Sequence, residues 1–234
     1  MFFRCSVEKL CLQHYAQQSA GSWKGVHCEG SLFRTLFSLL MWDVIFFPVP
    51  NVFQHPFQSI PLDWGTNSFY LARREVIENR LAEIASWPRP TGFGRMASDH
   101  KSNSDPNIVN MRGHISYALE EIWIKQFGVR CRPMNWDAWT LEVLQFTAEA
   151  IGGHALSLIC GVLARDFRHW CSGLPDLALW RDPSNTCVFK MVEVKGPRDR
   201  LSNQQIAWLR LLSGKVNIEI CHVDEHRGLE PTGQ

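Results

Sequence analysis

The sequence predicts an α/β fold, a small mixed sheet flanked by helices. Residues 177–180 and 188–194 have the apolar and β-branched content of strands, and Asp-Pro-Ser-Asn at 182–185 is a strong turn signal between them. A third strand over residues 216–223 follows a helix over residues 203–212, which predicts a right-handed β-α-β crossover. Helical periodicity dominates the rest of the chain.

Helices are predicted in three places before residue 88, over residues 6–18, 31–46 and 68–86. The second is apolar nearly all round, which indicates a buried helix, and Ser31 is suited to cap it. Residues 1–87 are therefore interpreted as a helical N-terminal part of one module.

Residues 88–114 differ from the rest because they are rich in Pro, Gly, Ser, Asn and Asp and have little apolar periodicity. We interpret residues 88–134 as a disordered or variant insertion, with a helix predicted over residues 115–127. Two further helices, over residues 140–151 and 155–167, open a core at 135–223, and residues 224–234 form a polar tail.

Composition is that of an ordinary globular chain, with 234 residues, 45% of them hydrophobic and 20% charged. The formal net charge of +1 gives no global sign of nucleic-acid binding, so any DNA contact must come from local clusters. One such cluster sets Lys195, Arg198, Arg200 and Arg210 against Asp199 alone.

Eight cysteines lie scattered without C-x-x-C spacing, which argues against a zinc ribbon or a disulfide framework and favours reduced thiols. A zinc site from His169, Cys171, Cys221 and His222 is an alternative that lacks the usual ligand spacing. The longest apolar run, residues 36–50, contains an aspartate and ends in Pro-x-Pro, so no membrane span is predicted. The first residues lack the pattern of a signal peptide, and we expect no secretion.

Three side chains of the predicted hairpin have the chemistry of a catalytic site. Pairing of Trp180 with residue 187 or 188 would place Asp176 within one residue of Glu193, and strand alternation places Glu193 and Lys195 on one face. Two close carboxylates raise each other's pKa unless a cation lies between them, and Mg²⁺ takes one or two carboxylates in such sites. The carbonyl of Val194 is a candidate further ligand. The alternative is an ordinary Glu-x-Lys on a solvated strand.

The order Pro-Asp, strand pair, Glu-x-Lys-Gly resembles the PD-(D/E)XK nuclease superfamily. The longer words GLPDLALW, VEVKGPRDRLS and QxxWL resemble its VRR-type nuclease domain, and most of all the Fanconi-associated nuclease family. The resemblance includes LDWGTNSFYLARR and is interrupted at residues 88–114. It implies a PD-(D/E)XK nuclease-like sheet, with Lys195 orienting water or stabilising transition-state charge.

Two more site residues follow from this resemblance. Glu29 in VHCEGS matches an acidic residue of the family and is carried over as a ligand of a second metal or as a water-positioning group. Gln205 matches a position that holds water or phosphate, although a capping box with Ser202 is a sufficient structural role. Four arginines are candidates for DNA phosphate contacts, Arg165, Arg168, Arg198 and Arg200, while pairing with other side chains is the alternative for Arg165.

The function implied by the resemblance is Mg²⁺- or Mn²⁺-dependent hydrolysis of DNA. It extends to structure-selective cutting of flap, branched or crosslinked DNA, 5′-to-3′ exonuclease activity, interstrand crosslink repair with other repair proteins, and a nuclear location. The alternative is a non-catalytic truncated or variant form that acts only as a binding or interaction module. The unusual 88–114 segment and the absence of the family's upstream DNA-binding regions favour that alternative.

Overall fold

Four strands form one mixed sheet in a computed structural model that describes residues 5–88, 113–181 and 188–224. In sheet order they are β1 (Lys24–His27), β2 (Leu177–Arg181), β3 (Val188–Lys195) and β4 (Asn217–His222). The pairs β1–β2 and β2–β3 are antiparallel, and β3–β4 is parallel. The predicted small mixed sheet, with a parallel β-α-β end, is confirmed.

Ten α-helices accompany this sheet in the described ranges. They are α1 (Val7–Ala16), α2 (Ser31–Leu40), α3 (Trp42–Ile45), α4 (Asn67–Ala72), α5 (Arg74–Ser86), α6 (His114–Gln126), α7 (Leu141–Ile151), α8 (Gly153–Arg165), α9 (Phe167–Trp170) and α10 (Asn203–Leu212). No single described helix is long and apolar enough to cross a membrane, while α7 and α8 pass that test only as a pair bent by 105°.

The helices cover the sheet on both faces. A large apolar cluster on one face includes Met191 of β3 and Trp208 of α10, and a smaller cluster on the other face joins Cys11 of α1 to Val192 and Val194. Side chains alternate along β3, so Glu193 and Lys195, at odd positions with Met191, lie on the face of the large cluster. Strand alternation predicted that Glu193 and Lys195 share one face of the sheet, and the structure agrees.

The register of the hairpin differs from the predicted one. Trp180 pairs with Phe189 rather than with residue 187 or 188. In this register Ala178 lies opposite Met191, and both contribute to the large cluster, whereas a slip by one residue would place a lysine there. Continued by one step, the ladder brings Asp176 opposite Glu193, closer than predicted. The turn predicted at 182–185 lies outside the described residues.

Strand β1 was not predicted. It lies at the sheet edge against β2, and Gly25 makes the close approach possible, because a Cβ there would lie 2.3 Å from the Leu179 side chain and 2.7 Å from the Ala178 carbonyl oxygen. The strand ends at His27, just before Glu29.

Two predicted helices are each divided in two. The helix predicted at 31–46 ends at Leu40 and resumes as α3, and the one predicted at 68–86 is interrupted at Arg73. Arg73 is buried, with its Nη1 2.7 Å from the Asp63 carboxylate and its guanidinium carbon 4.5 Å from the Phe69 ring centroid. Pairing with a loop carboxylate therefore coincides with the break.

The segment interpreted as an insertion is only partly described. Residues 113–134 contain α6, whose Ile115 and Leu119 are fully buried in the large cluster. Residues 89–112 lie outside the described residues, as does all but the first residue of the predicted tail. The domain boundaries stay predictions.

Candidate active site

Asp176 lies where three strands meet. Its main-chain oxygen accepts a hydrogen bond from the Cys28 N–H at 2.8 Å, at the end of β1, and its Oδ2 accepts one from the Val194 N–H at 2.8 Å, on β3. Burial raises the pKa of the Asp176 carboxyl, while the Val194 N–H and the Lys195 charge oppose that rise. The carboxylate is thus fixed at the end of β3, beside Glu193 and Lys195.

Glu193 is the most deeply buried carboxylate of the site, with no solvent exposure. Its Oε1 lies 2.8 Å from Lys195 Nζ and accepts a hydrogen bond from the Gln205 side-chain amide. Burial raises the pKa of Glu193 to about 7, the nearby Asp176 charge adds to the rise, and Lys195 opposes it. Its Oε2 is buried and has no hydrogen-bond partner.

Gln205 connects helix α10 to this carboxylate. Ser202 and Gln205 form the predicted capping box, in which Gln205 Oε1 accepts from the Ser202 N–H at 2.9 Å. The same oxygen accepts from Lys195 Nζ at 3.1 Å, while the amide nitrogen donates to Glu193. One side chain therefore caps the helix and also contacts both charged groups. The predicted capping box is confirmed, and a contact of Gln205 with water or phosphate stays a prediction.

A glycine allows α10 to approach the hairpin so closely. Gly173 has φ of +82°, and a Cβ there would lie 3.0 Å from the Gln204 Cβ and 3.1 Å from the Gln205 nitrogen. Gly173 thus packs the segment before Asp176 against the first turn of α10.

The structure does not bring the Glu29 carboxylate into the group. Glu29 has a left-handed backbone with φ of +40°, its side chain is 71% exposed, and its Oε1 lies 3.2 Å from His27 Nε2. Its main-chain N–H lies 3.4 Å from the Asp176 carbonyl oxygen, so the residue borders the site while its carboxylate pairs with His27. His27 was not predicted as part of this region, and the His-x-Glu spacing of His27 and Glu29 is the sequence signal for their contact.

The donor set fits a divalent cation of the kind that binds oxygen ligands. A buried carboxylate oxygen without a partner, beside a second carboxylate whose pKa is also raised, is expensive unless a cation or a proton compensates it. Asp176 and Glu193 are the residues that would hold the ion, and the carbonyl of Val194 stays a predicted ligand. Across the part of the chain that the structure describes, no three His, Cys, Asp or Glu side chains converge on one point. The alternative zinc site from His169, Cys171, Cys221 and His222 is therefore not formed.

The four candidate DNA-binding arginines lie in different surroundings. Arg165 pairs with Glu78 of α5 at 3.2 Å, and its guanidinium carbon lies 5.1 Å from the Tyr70 ring centroid, as in the alternative considered for it. Arg168 is exposed on α9, and Arg198 and Arg200 are exposed on the loop between β3 and α10. A DNA contact by any of the four stays a prediction.

The structure has a cleft of about 990 Å³ near Glu29 that the sequence did not predict. Arg34, Arg132 and Arg168 line it together with Trp64 and Cys171. Arg34 Nη1 donates to the Cys171 carbonyl oxygen at 2.8 Å and lies 3.4 Å from that of Glu29, which places this end of the cleft beside Glu29. An arginine in the otherwise apolar helix α2 was the signal that could have revealed it.

Comparison with known proteins defines the class. Residues 111–225 match the VRR-NUC domain, and this match begins within the segment interpreted as an insertion. The chain therefore contains a VRR-NUC nuclease domain, in agreement with the carboxylates and lysine at the ends of β2 and β3.

The relatives are Fanconi-associated nucleases. The chain is 40% identical over 223 residues to the Fanconi-associated nuclease 1 homolog of Arabidopsis thaliana, covering 94% of this chain and 22% of that protein. It is 39% identical over 222 residues to human Fanconi-associated nuclease 1, covering 94% of this chain and 19% of that protein. The chain is homologous to the C-terminal part of Fanconi-associated nuclease 1 and spans about a fifth of the length of these curated relatives.

The fold matches solved structures of a relative. A crystal structure of paFAN1 bound to DNA with a one-nucleotide 5′ flap and a gap superposes with a TM-score of 0.74 at 25% identity, over 96% of this chain and 36% of that chain. A second structure, with a two-nucleotide 5′ flap, gives 0.73 at 24% identity, over 95% of this chain and 35% of that chain. The α/β fold is therefore that of the FAN1 nuclease.

Proposed function

We propose that this chain is a Mg²⁺- or Mn²⁺-dependent deoxyribonuclease that hydrolyses phosphodiester bonds in flap or branched DNA and degrades DNA from 5′ to 3′. The observation that carries the proposal is the buried Glu193, with one oxygen bound by Lys195 and Gln205 and the other without a partner, next to Asp176. A carboxylate placed in this way at the end of a strand in a VRR-NUC domain is better explained by cation binding than by packing.

Each site residue has a task that its contacts support. Asp176, oriented by the Val194 N–H, and Glu193, oriented by Gln205, would hold the metal. When bound, the ion would supply Lewis-acid stabilisation of the phosphate and would make a water molecule more acidic. Lys195, fixed between Glu193 and Gln205, places a positive charge where negative charge develops during phosphoryl transfer.

Glu29 has a different role in this proposal. Its carboxylate is 71% exposed and pairs with His27 at the border of the site, so an incoming substrate can reach it. We assign it to positioning water or to holding a second metal, as the family resemblance implies.

The substrate class rests on chemistry and homology together. Three of the exposed arginines, Arg168, Arg198 and Arg200, lie on segments that lead into Asp176 and away from Lys195, and guanidinium groups bind phosphates through paired donors. The similar structures are those of a protein bound to 5′-flap DNA. A role in interstrand crosslink repair, with repair-protein partners and a nuclear location, is proposed from the homology alone.

A second candidate function is that of a binding or interaction module without activity of its own. The observation that favours it is the Glu29 carboxylate, which pairs with His27 and does not join Asp176 and Glu193 in the described structure. The two candidates differ in what the isolated chain does to DNA.

Cleavage of a 5′-labelled flap substrate separates them. We expect Mg²⁺ or Mn²⁺ to support cleavage by the chain, chelation to stop it, and Asp176→Asn to lower the rate at least about a hundredfold. Glu142→Gln is the matched control, because Glu142 is an exposed carboxylate in the first turn of α7. Metal-independent cleavage, or equal rates for both variants, would contradict the nuclease proposal, and DNA binding without cleavage would support the interaction module.

A further inference from the structure

We propose that Cys11 and Cys221 form an oxidisable dithiol, which a hydroperoxide converts to a disulfide that joins helix α1 to strand β4. Their Sγ atoms lie 3.5 Å apart although 210 residues separate them in sequence. This modification site is independent of the proposed nuclease activity.

The geometry of α1 on the sheet fixes this contact. Cys11 is buried on α1, and Cys221 of β4 pairs with Val194 in the parallel ladder. One helical turn further along α1, the Tyr15 hydroxyl donates to Glu219 at 2.5 Å, and Glu219 lies two residues before Cys221 on the same face of β4. Two contacts along one line therefore align the helix with the strand.

The sulfurs need only a small movement to bond. Disulfide sulfurs are about 2.05 Å apart, so closure requires the two Sγ atoms to approach by about 1.5 Å. The pair lies on the α1 face of the sheet, whereas Glu193 and Lys195 lie on the other face. Oxidation would thus link helix α1 covalently to strand β4 without using a catalytic side chain.

The two cysteines differ in access, which sets the order of the chemistry. Cys221 is half-buried, and its sulfur attacks the peroxide, so that an S–O bond forms, the O–O bond breaks and one water is released when the oxidant is hydrogen peroxide. The Cys11 sulfur then attacks the Cys221 sulfur, the S–S bond forms, the S–O bond breaks, and hydroxide leaves with the Cys11 proton as a second water. Burial and the Cys221 contact raise the pKa of Cys11 to about 12, so the half-buried Cys221 rather than Cys11 is the sulfur that meets the oxidant first.

Other cysteines in the described ranges have different partners. Cys28 Sγ lies 3.7 Å from the Pro175 carbonyl oxygen, and Cys171 Sγ lies 3.6 Å from that of Arg168. Cys5 is exposed near the start of α1. These three serve as internal comparisons for the selectivity of oxidation.

The experiment is a titration of the full chain with millimolar hydrogen peroxide, followed by non-reducing digestion and mass spectrometry. We expect one crosslinked peptide pair containing Cys11 and Cys221, reversed by dithiothreitol, with a melting temperature raised by roughly 5–10 °C because the bond closes a long loop. Cys11→Ala and Cys221→Ser should each remove the crosslink and the thermal shift, while Cys5→Ser keeps both.

Two results would overturn the proposal. One is oxidation of Cys221 to sulfinic acid in the wild type with Cys11 still a free thiol, and the other is a crosslink that persists in Cys221→Ser. Since Cys221 is only partly buried, its serine variant should fold even if the Cys11 variant does not, and it suffices to decide.

Discussion

Glu193 shows at the scale of one residue why the site is suited to a cation. Its charge is balanced in the described structure by one ammonium, shared with Gln205, and one of its oxygens has no partner at all. The raised pKa means that a proton or a cation stabilises the folded protein at neutral pH. Binding and stability are therefore coupled through this residue.

The metal-free protein should gain stability as the pH falls. The folded pKa of Glu193 is about 7 against an ordinary value of 4.5, so between these values the folded state binds more protons than the unfolded state. The stabilisation that protonation of Glu193 gives to the folded state is thus complete below about pH 4.5. It is lost as the pH rises through 7, which lowers the free energy of unfolding by on the order of 3 kcal/mol. We expect the free energy of unfolding, in EDTA, to fall from pH 5.5 to 8 more steeply in the wild type than in Glu193→Gln. Parallel profiles would show that Glu193 titrates normally.

Lys195 distinguishes catalysis from charge balance. Lys195→Met keeps much of the side-chain volume and removes the ammonium, so we expect the cleavage rate of flap DNA to fall by about a hundredfold or more at saturating Mg²⁺. DNA affinity should change little, because Lys195 is 7% exposed and its ammonium is bound to Glu193 and Gln205. Recovery of the wild-type rate at high Mg²⁺ would mean that Lys195 only balances the carboxylates.

At the scale of the element, helix α10 is the support of the site. Its N-terminal capping box uses the same glutamine that holds the carboxylate and the lysine, so the start of the helix is fixed relative to the end of β3. A substitution of Gln205 would disturb both the helix cap and the geometry of the site. Two different substitutions are therefore needed to separate the effects.

Ser202→Ala and Gln205→Glu test the two roles of Gln205. Ser202→Ala removes the cap and should lower the free energy of unfolding by about 1 kcal/mol while leaving the cleavage rate within about twofold. Gln205→Glu keeps a capping-box acceptor but replaces the amide that donates to Glu193 by a like charge, so the rate should fall at least about tenfold. Equal effects of both variants on cleavage would show that Gln205 acts only through the helix.

Local patterns predicted most elements, and tertiary contacts decided the others. The helix over residues 203–212 and the carboxylate–lysine group at 193–195 are visible because capping and strand alternation are local rules. Strand β1 has a lysine and a glycine in four residues and exists through its pairing with β2, which no local pattern reports. The orientation of Glu29 toward His27 and the register of Trp180 likewise depend on packing across the sheet.

At the scale of the whole molecule, the site lies where separate layers converge. Asp176 follows the helical segment α8–α9, Glu193 and Lys195 end a central strand, and Gln205 starts the helix after it. Metal binding should therefore stabilise the entire fold rather than one loop.

A thermal-shift series tests that coupling. We expect Mg²⁺ or Mn²⁺ to raise the melting temperature of the wild type and to have no such effect on Asp176→Asn, because the carboxylate oriented by Val194 is then lost as a ligand. Glu142→Gln should respond to metal as the wild type does. Equal stabilisation of Asp176→Asn would remove Asp176 from the ligand set.

DNA binding by the whole chain should be weak and steeply dependent on salt. A net charge of +1 gives little long-range attraction, so affinity must come from a few arginines that neutralise phosphates, each contributing close to one unit to the slope of log K against log salt. Arg165, Arg168, Arg198 and Arg200 are all exposed, but Arg165 pairs with Glu78 and lies over Tyr70, which separates it from the other three.

Single alanine variants of the four arginines, measured by fluorescence anisotropy on flap DNA between 50 and 200 mM salt, decide among them. We expect Arg168→Ala, Arg198→Ala and Arg200→Ala each to lower the slope by about one, and Arg165→Ala to leave it unchanged, since an arginine that keeps its carboxylate partner releases no counterion from DNA. Tight binding that survives 200 mM salt would reveal a reading surface outside these residues. A reduced slope in Arg165→Ala would show that DNA displaces Glu78 and that the end of α8 belongs to the DNA-binding surface.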